Sequence, residues 1–185
     1  MTSRLNAALL IGAYGFMVLS QTCGLGIIQF LHGPEARADA QAAPKISPYT
    51  EVQDLCFEYE QAHFDRVSNI LHSIGMVATG ELILIAILFP IWRLLLWTPP
   101  VYYLLAWVGR FLFQKGVPAV FSYATTPRGW ATGEFCSIQA LLTGKAIDTF
   151  QDWFLTIIAT LPLVYALFLA TTSQSGRVIE KSKPL

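Results

Sequence analysis

Charge is what this sequence has least of. Of its 185 residues, 13% are Asp, Glu, Lys or Arg, about half the roughly 25% usual in soluble domains. That shortage excludes a water-soluble globular domain. The 54% apolar content excludes a disordered chain, which needs low hydrophobicity and high charge. Charge of one sign is lacking as well: 12 Lys+Arg balance 12 Asp+Glu. No basic surplus points to nucleic acid. The three cysteines form no Cys-x-x-Cys, which excludes the paired-thiol chemistry of a membrane thiol oxidase. Neither Gly-x-x-x-x-Gly-Lys-Ser/Thr nor Gly-x-Gly-x-x-Gly occurs, so no phosphate loop is legible. A nucleophile elbow is absent too. So is any Asn-x-Ser/Thr sequon, against a glycosylated cell-surface protein.

What the sequence does have is long uncharged runs. A helix crossing about 30 Å of hydrocarbon needs about 20 mainly apolar residues. No formal charge falls between Arg4 and Glu35, only Glu81 falls between Arg66 and Arg93, and none falls between Asp152 and Arg177. These runs predict spans at 5–31, 67–92 and 153–172. Thr98-Pro99-Pro100 reads as a helix restart, with Thr98 as N-cap and proline in the first turn. It predicts a further span at 99–122 that carries Arg110. The fold expected is an all-α integral membrane protein, a four-helix transmembrane bundle forming a single domain over 1–185. Ala36-Arg37-Ala38 and its neighbours resemble a signal-peptidase site, but the preceding apolar run exceeds the 7–15 residues of a signal sequence. The first segment is expected to be a retained anchor.

With both termini inside, the inner segments hold five cations and one acid, and the outer side, counting Lys115 at the end of the third span, holds six cations and ten acids. Arg93 and the basic tail at 173–185 sit in the short segments, where the orientation rule applies. Outer loops are then expected at 32–66 and 123–152. In the first, 33–48 is Ala/Pro-rich and reads as extended. Thr50-Glu51-Val52-Gln53 matches a capping box, and Val52, Leu55, Cys56, Tyr59, His63, Val67 and Ile70 follow at helical spacing. That amphipathic helix is expected to run into the second span. In the second loop a turn at Thr126-Pro127-Arg128-Gly129 precedes a helical stretch at 132–143.

Three constellations carry chemistry. Cys56 and Cys136 fall one in each outer loop, and in an oxidising compartment they are the expected disulfide. Glu81 and Arg110 are intramembrane ionisable residues, which are expensive and need partners. If the intervening turn lies at 93–98, the two share a depth and form an ion pair. Glu60-Gln61-Ala62-His63 has the Glu-x-x-His spacing of di-iron bundles, which require two such motifs. Glu60, His63 and His72 are therefore weak metal or polar candidates, and no catalytic residue, metal or cofactor is expected. Tyr103, Trp107, Arg110 and Gln114 share one helical face.

The function expected first is that of a non-catalytic membrane subunit in a larger complex, respiratory, photosynthetic, secretory or conjugative. Its partners would be lipids and other membrane subunits, without nucleic acid. A bacterial inner membrane, or an organellar one, is the expected location. Two alternatives stand beside it: a channel or transporter subunit using Glu81 and Arg110 as a charge pathway, and a membrane enzyme acting on a lipid or quinone.

Overall fold

The structure is a computed structural model and describes the chain apart from residues 1, 44–50, 63, 64, 119, 124, 125, 148 and 182–185. It is 87% helical, and no strand occurs among the described residues. The order is α1 (Thr2–His32), α2 (Pro34–Ala42), α3 (Val52–Ala62), α4 (Arg66–Leu88), a 3-10 helix (Trp92–Trp97), α5 (Thr98–Leu112), α6 (Val120–Tyr123), α7 (Pro127–Leu142) and α8 (Phe150–Lys181). Three segments are long and apolar enough to cross a membrane: Leu5–His32 in α1, Arg66–Leu88, and Phe150–Thr172 in α8.

The third expected span, 99–122, is not one helix. α5 stops at Leu112, Lys115 takes a left-handed φ of 52°, and Gly116 and Pro118 follow, which a helix does not accommodate. Fifteen residues of α-helix reach only about 22 Å. Two other expectations are corrected. The stretch after α1 is not extended: Gly33 turns the chain at φ 93° and Pro34 opens α2 as an N-terminal proline. Nor does the amphipathic helix run unbroken into the second span. α4 has a cap of its own, in which the Asp65 carboxylate accepts from Ser68 N at 2.7 Å. α8 continues as helix past residue 172, through most of the expected tail.

α4 and α5 form an antiparallel hairpin, and its register organises the molecule. α4 ends at Leu88, Pro90 lies in the turn, and the 3-10 helix already belongs to the returning leg. Small residues let the two backbones meet. A Cβ on Gly75 would stand 2.9 Å from Tyr102 O, and one on Gly109 2.9 Å from Ser68 Cα. Thr79 Oγ1 donates to Thr98 O at 3.3 Å. Below these contacts Ala78, Leu82, Ala86, Leu94, Val101 and Val164 form a buried apolar cluster that brings in α8. A second cluster joins Ile28 of α1 to Ala106, Trp107 and Phe111 of α5, with Ala36 and Ala40 of α2 packed on it. The outward faces of α1 and α8 stay apolar: Ile11, Phe30, Leu161 and Tyr165 are all more than half exposed.

This close approach generates a prediction. Gly75→Val should lower the melting temperature of the chain in detergent, by the equivalent of about 1–3 kcal/mol for overpacking. Gly80→Val, at a position with open space around it, should leave it unchanged in the same thermal melt.

Candidate functional site

At the end of the hairpin away from Pro90, α3 and α7 lie across α4 and α5. A disulfide joins them: Cys56 and Cys136 are bonded, with Cα atoms 4.9 Å apart. Around it Leu55, Cys56, Tyr59 and Cys136 are buried together. α7 starts on Thr126, whose hydroxyl accepts from Gly129 N at 3.1 Å. It buries Gly133, Cys136, Ser137 and Ala140, one helical stripe. The bridge spans 80 positions, and closing such a loop stabilises by roughly 4 kcal/mol on the chain-entropy estimate.

Tyr59 follows Cys56 by one turn of α3, and Ser137 follows Cys136 directly, so the bridge brings two hydroxyls together. Ser137 Oγ donates to the Tyr59 oxygen at 2.6 Å. Tyr59 OH in turn meets His72 Nδ1 at 3.2 Å, and His72 Nε2 meets Tyr102 OH at 3.3 Å. Tyr102 and Tyr103 both donate to Glu134, the latter at 2.8 Å. Trp130 Nε1 donates to the Tyr103 oxygen at 2.6 Å. Ser137 Oγ also reaches Gly133 O at 3.2 Å, so its single proton has two acceptors. With that proton on the nearer Tyr59 oxygen, the Tyr59 proton faces Nδ1, His72 carries its proton on Nε2 toward the Tyr102 oxygen, and Tyr102 donates to Glu134. The result is an ordered chain of hydroxyls and one imidazole that ends on a carboxylate.

A cavity of about 30 Å³ lies beside this chain, lined by Tyr59, His72, Tyr102, Tyr103, Ala106, Trp107, Arg110, Pro118, Val120 and Glu134. A second, of about 20 Å³, lies across the Tyr59–His72 pair, toward Asn69, Met76 and Lys145. Desolvation raises the Glu134 carboxyl above the usual carboxylate range, against the opposing pull of the two phenols that donate to it. Burial likewise raises the Tyr59 phenol, against the Ser137 hydrogen bond, so Tyr59 stays protonated at neutral pH.

The structure brings His72, Cys56 and Cys136 to this site. Arg110 also reaches it, although sequence reasoning had assigned it elsewhere. Glu81 does not reach it. Its Oε1 accepts from Thr160 of α8 at 3.2 Å, whereas Arg110 donates to Gln114 Oε1 and to Val117 O. The expected Glu81–Arg110 pair fails because the turn lies at Pro90, before the 3-10 helix. The register that sets Ser68 on Gly109 places Arg110 beside the first turn of α4. Glu81 is then about 14 residues farther along, or about 21 Å. Glu60 is held by Lys145, Nζ to Oε1 2.8 Å, and His63 lies outside the described residues. Sequence reasoning missed Tyr59, Tyr102, Glu134 and Ser137 as site residues. The signal available was polar: Ser137 beside a bridged cysteine, and paired tyrosines two turns before a buried arginine.

Fold and site together define an all-helical protein with three helices long and apolar enough to cross a membrane and a buried polar pocket at one end of its central hairpin. Within that class, residues 49–146 match the family model described as Mpo1-like, 2-hydroxy-palmitic acid dioxygenase Mpo1-like. The match covers just over half of the chain and takes in α3 to α7, the elements that build the pocket. The chain belongs to the Mpo1-like family. No curated protein and no solved structure matches it. Family membership overturns the expectation of a non-catalytic complex subunit. It points to a lipid-modifying enzyme, the last of the alternatives drawn from the sequence.

A dioxygenase implies an oxygen-activating centre, commonly a metal held by three or more His, Cys, Asp or Glu ligands. The described residues do not form such a donor set. No group of three of those residue types comes together among them. His72, the pocket's imidazole, has both ring nitrogens engaged by phenols. A guanidinium lines the same cavity, where a divalent cation would be repelled. No step is assigned to such a centre.

Two predictions follow from the pocket's construction. Cys56→Ser should destabilise the chain by about 2–5 kcal/mol and weaken Tyr59's contact with Ser137, read as a change in near-UV dichroism. Glu134 has a raised folded-state pKa, so its contribution to stability is full below the unfolded value and falls as pH rises through the folded one. Wild-type melting temperature should therefore decline as pH rises through the folded-state pKa, and Glu134→Gln should remove the decline.

Proposed function

We propose that this protein is a membrane-embedded enzyme that acts on a single-chain lipid of the 2-hydroxy fatty acid class. The observation that carries the reading is the buried chain Ser137–Tyr59–His72–Tyr102–Glu134 beside a cavity, within the segment matched by the family. A buried polar network is costly unless it is satisfied. Five linked polar side chains in so apolar a protein are explained by a reaction that must hold or move a proton. The residues of the chain do three things in this reading. The phenols and His72 fix one another's protons, so that His72 presents a single tautomer. Glu134 takes up or releases a proton at the end of the chain. Trp107, backed by Phe121 with ring centroids 5.0 Å apart, and Pro118 wall the cavity and exclude water.

The substrate class also fits the setting. Exposed apolar residues on α1 and α8 give the chain a lipid-facing exterior. α7 exposes Phe135, Ile138 and Leu142 at helical spacing, an apolar face at the pocket end suited to the membrane interface. A four-crossing topology follows if the third crossing is 92–112 rather than 99–122. Six residues of 3-10 helix at about 2.0 Å each add about 12 Å to α5. Together they reach about 34 Å, equal to α4 and enough to cross. Both termini then lie on the Pro90 side. The disulfide supports an oxidising compartment for the pocket end, which for a bacterial inner membrane is the periplasm.

The test is turnover by the full chain, purified in mild detergent and supplied with 2-hydroxy-palmitic acid and oxygen. Loss of the acid, followed by mass spectrometry, is expected. His72→Ala should cost about 100-fold or more, the scale of a lost acid–base group, while Gly80→Val keeps wild-type turnover. Absence of turnover by wild type, or equal turnover by His72→Ala, would contradict the reading.

A further inference from the structure

The smaller cavity, of about 20 Å³, lies across the Tyr59–His72 pair from the larger one. Asn69, His72 and Ser73, which share one face of α4, line it, and α7 and the turn after it add Ser137 and Lys145. Ser73 is 1% exposed, and its hydroxyl has no hydrogen-bond partner among the described residues. A buried hydroxyl on a helix can give its proton to the carbonyl four residues back. Thr156 and Thr171 do so, to Asp152 O and Leu167 O, each at 2.8 Å. Ser73 makes no such bond, although a buried hydroxyl left unpaired is costly. It lines the cavity with both its donor and its acceptor capacity unused. Ser137, also buried, gives its proton to Tyr59 at 2.6 Å and keeps lone pairs that accept. Lys145 commits two of its three ammonium protons to Glu60, Nζ to Oε1 and to Oε2 both 2.8 Å. Its side chain is 56% exposed, so this wall of the cavity meets solvent.

We propose that this smaller cavity holds one water, bound by Ser73, and is the port through which the buried polar chain takes protons from solvent at Lys145 and delivers them to Glu134. The inference rests on the reading of that chain as the proton-handling part of a lipid enzyme, and adds where the chain meets water. The volume suits the occupant: about 20 Å³ exceeds the roughly 10–15 Å³ that one water needs. So do the walls, since a buried water takes roughly two to four polar partners, and Ser73, Ser137 and Lys145 are three. The order of donors then gives the path. The water passes a proton to Ser137 Oγ, Ser137 its own to the Tyr59 oxygen, and Tyr59 its own to His72 Nδ1. His72 passes the Nε2 proton to Tyr102, and Tyr102 its own to Glu134. One proton enters from solvent and one arrives on the carboxylate. Every group between ends with as many protons as it began, and no electron moves. Transfer outward along the same path restores His72 to its Nε2 tautomer. The lipid would occupy the larger cavity, which Glu134 also lines, so solvent protons and substrate reach the chain from opposite sides.

The test is the rate at which Glu134 takes up a proton, with turnover measured separately. Protons are released by a light pulse from a caged acid into the full-length protein in detergent. The carboxyl stretch of protonated Glu134, identified as the band lost in Glu134→Gln, is followed by time-resolved infrared spectroscopy. Ser73→Val replaces the hydroxyl with a methyl and fills the space of the water. It should slow the rise of the band about ten-fold, the scale of one lost hydrogen bond, and leave its final amplitude unchanged. Ala146→Val, on another wall of the same cavity, should do the same. Gly80→Val, with open space around it, should match wild type. Slowing without a change in extent is what a blocked port gives; damage to packing around Glu134 would change the extent too. Equal rates in wild type and Ser73→Val overturn the inference, as does a changed amplitude or a band that never rises in wild type. Melting temperature is recorded for each variant, and if Ser73→Val fails to fold, Ala146→Val decides in the same way. Turnover of 2-hydroxy-palmitic acid alongside equal rates overturns this inference alone. Proton uptake through the port without turnover sinks the enzymatic reading alone.

Discussion

The close antiparallel contact of α4 with α5 is the constraint on which the rest depends. Gly75 and Gly109 allow backbone to touch backbone, and such contact fixes register more tightly than larger side chains would. Register then decides which residues meet. It brings His72 and Arg110 to the same end, leaves Glu81 far down the bundle facing Thr160, and presents Tyr102 to the imidazole. In hydrocarbon, where apolar burial between helices is weak, small residues and interhelical hydrogen bonds carry association. Both are present in this hairpin, the second as Thr79 to Thr98.

On top of that hairpin, the Cys56–Cys136 bridge holds the α3–α7 layer. It does so at the point where it is most useful to the pocket, between one cysteine a turn from Tyr59 and another adjacent to Ser137. A covalent tie between α3 and α7 and a small-residue contact between α4 and α5 together hold five polar side chains in one line. The family match over residues 49–146 coincides with this assembly rather than with α1 or α8. The two outer helices expose apolar surface, and the residues that line the two cavities all come from the central unit.

Much of this was legible from residue pattern alone. Uncharged runs marked α1, α4 and α8, because a span must be long and apolar. Three cysteines with one inside a span left a single sensible pairing. The leg that returns after Pro90 was not legible in its position. Pattern reading assumes an α-helical rise, and the leg that returns after Pro90 begins as a 3-10 helix with a longer one. With the turn at Pro90 rather than at 93–98, the register shifts and the expected Glu81–Arg110 pair dissolves. The pocket was hidden for a related reason. Tyr59, Tyr102, Glu134 and Ser137 come from three helices, and no local spacing links them. Arg110 was noticed as a buried cation but was assigned the wrong neighbour.

Register is therefore where the account is most exposed, and cross-linking measures it directly. In a Cys23→Ser background with the native bridge intact, Thr79→Cys combined with Thr98→Cys should form a disulfide in membranes under mild oxidation. Glu81→Cys combined with Arg110→Cys should not, since the two lie about 21 Å apart along the hairpin. Cross-linking of the second pair without the first would mean that the turn lies elsewhere and that His72 and Arg110 do not share a pocket.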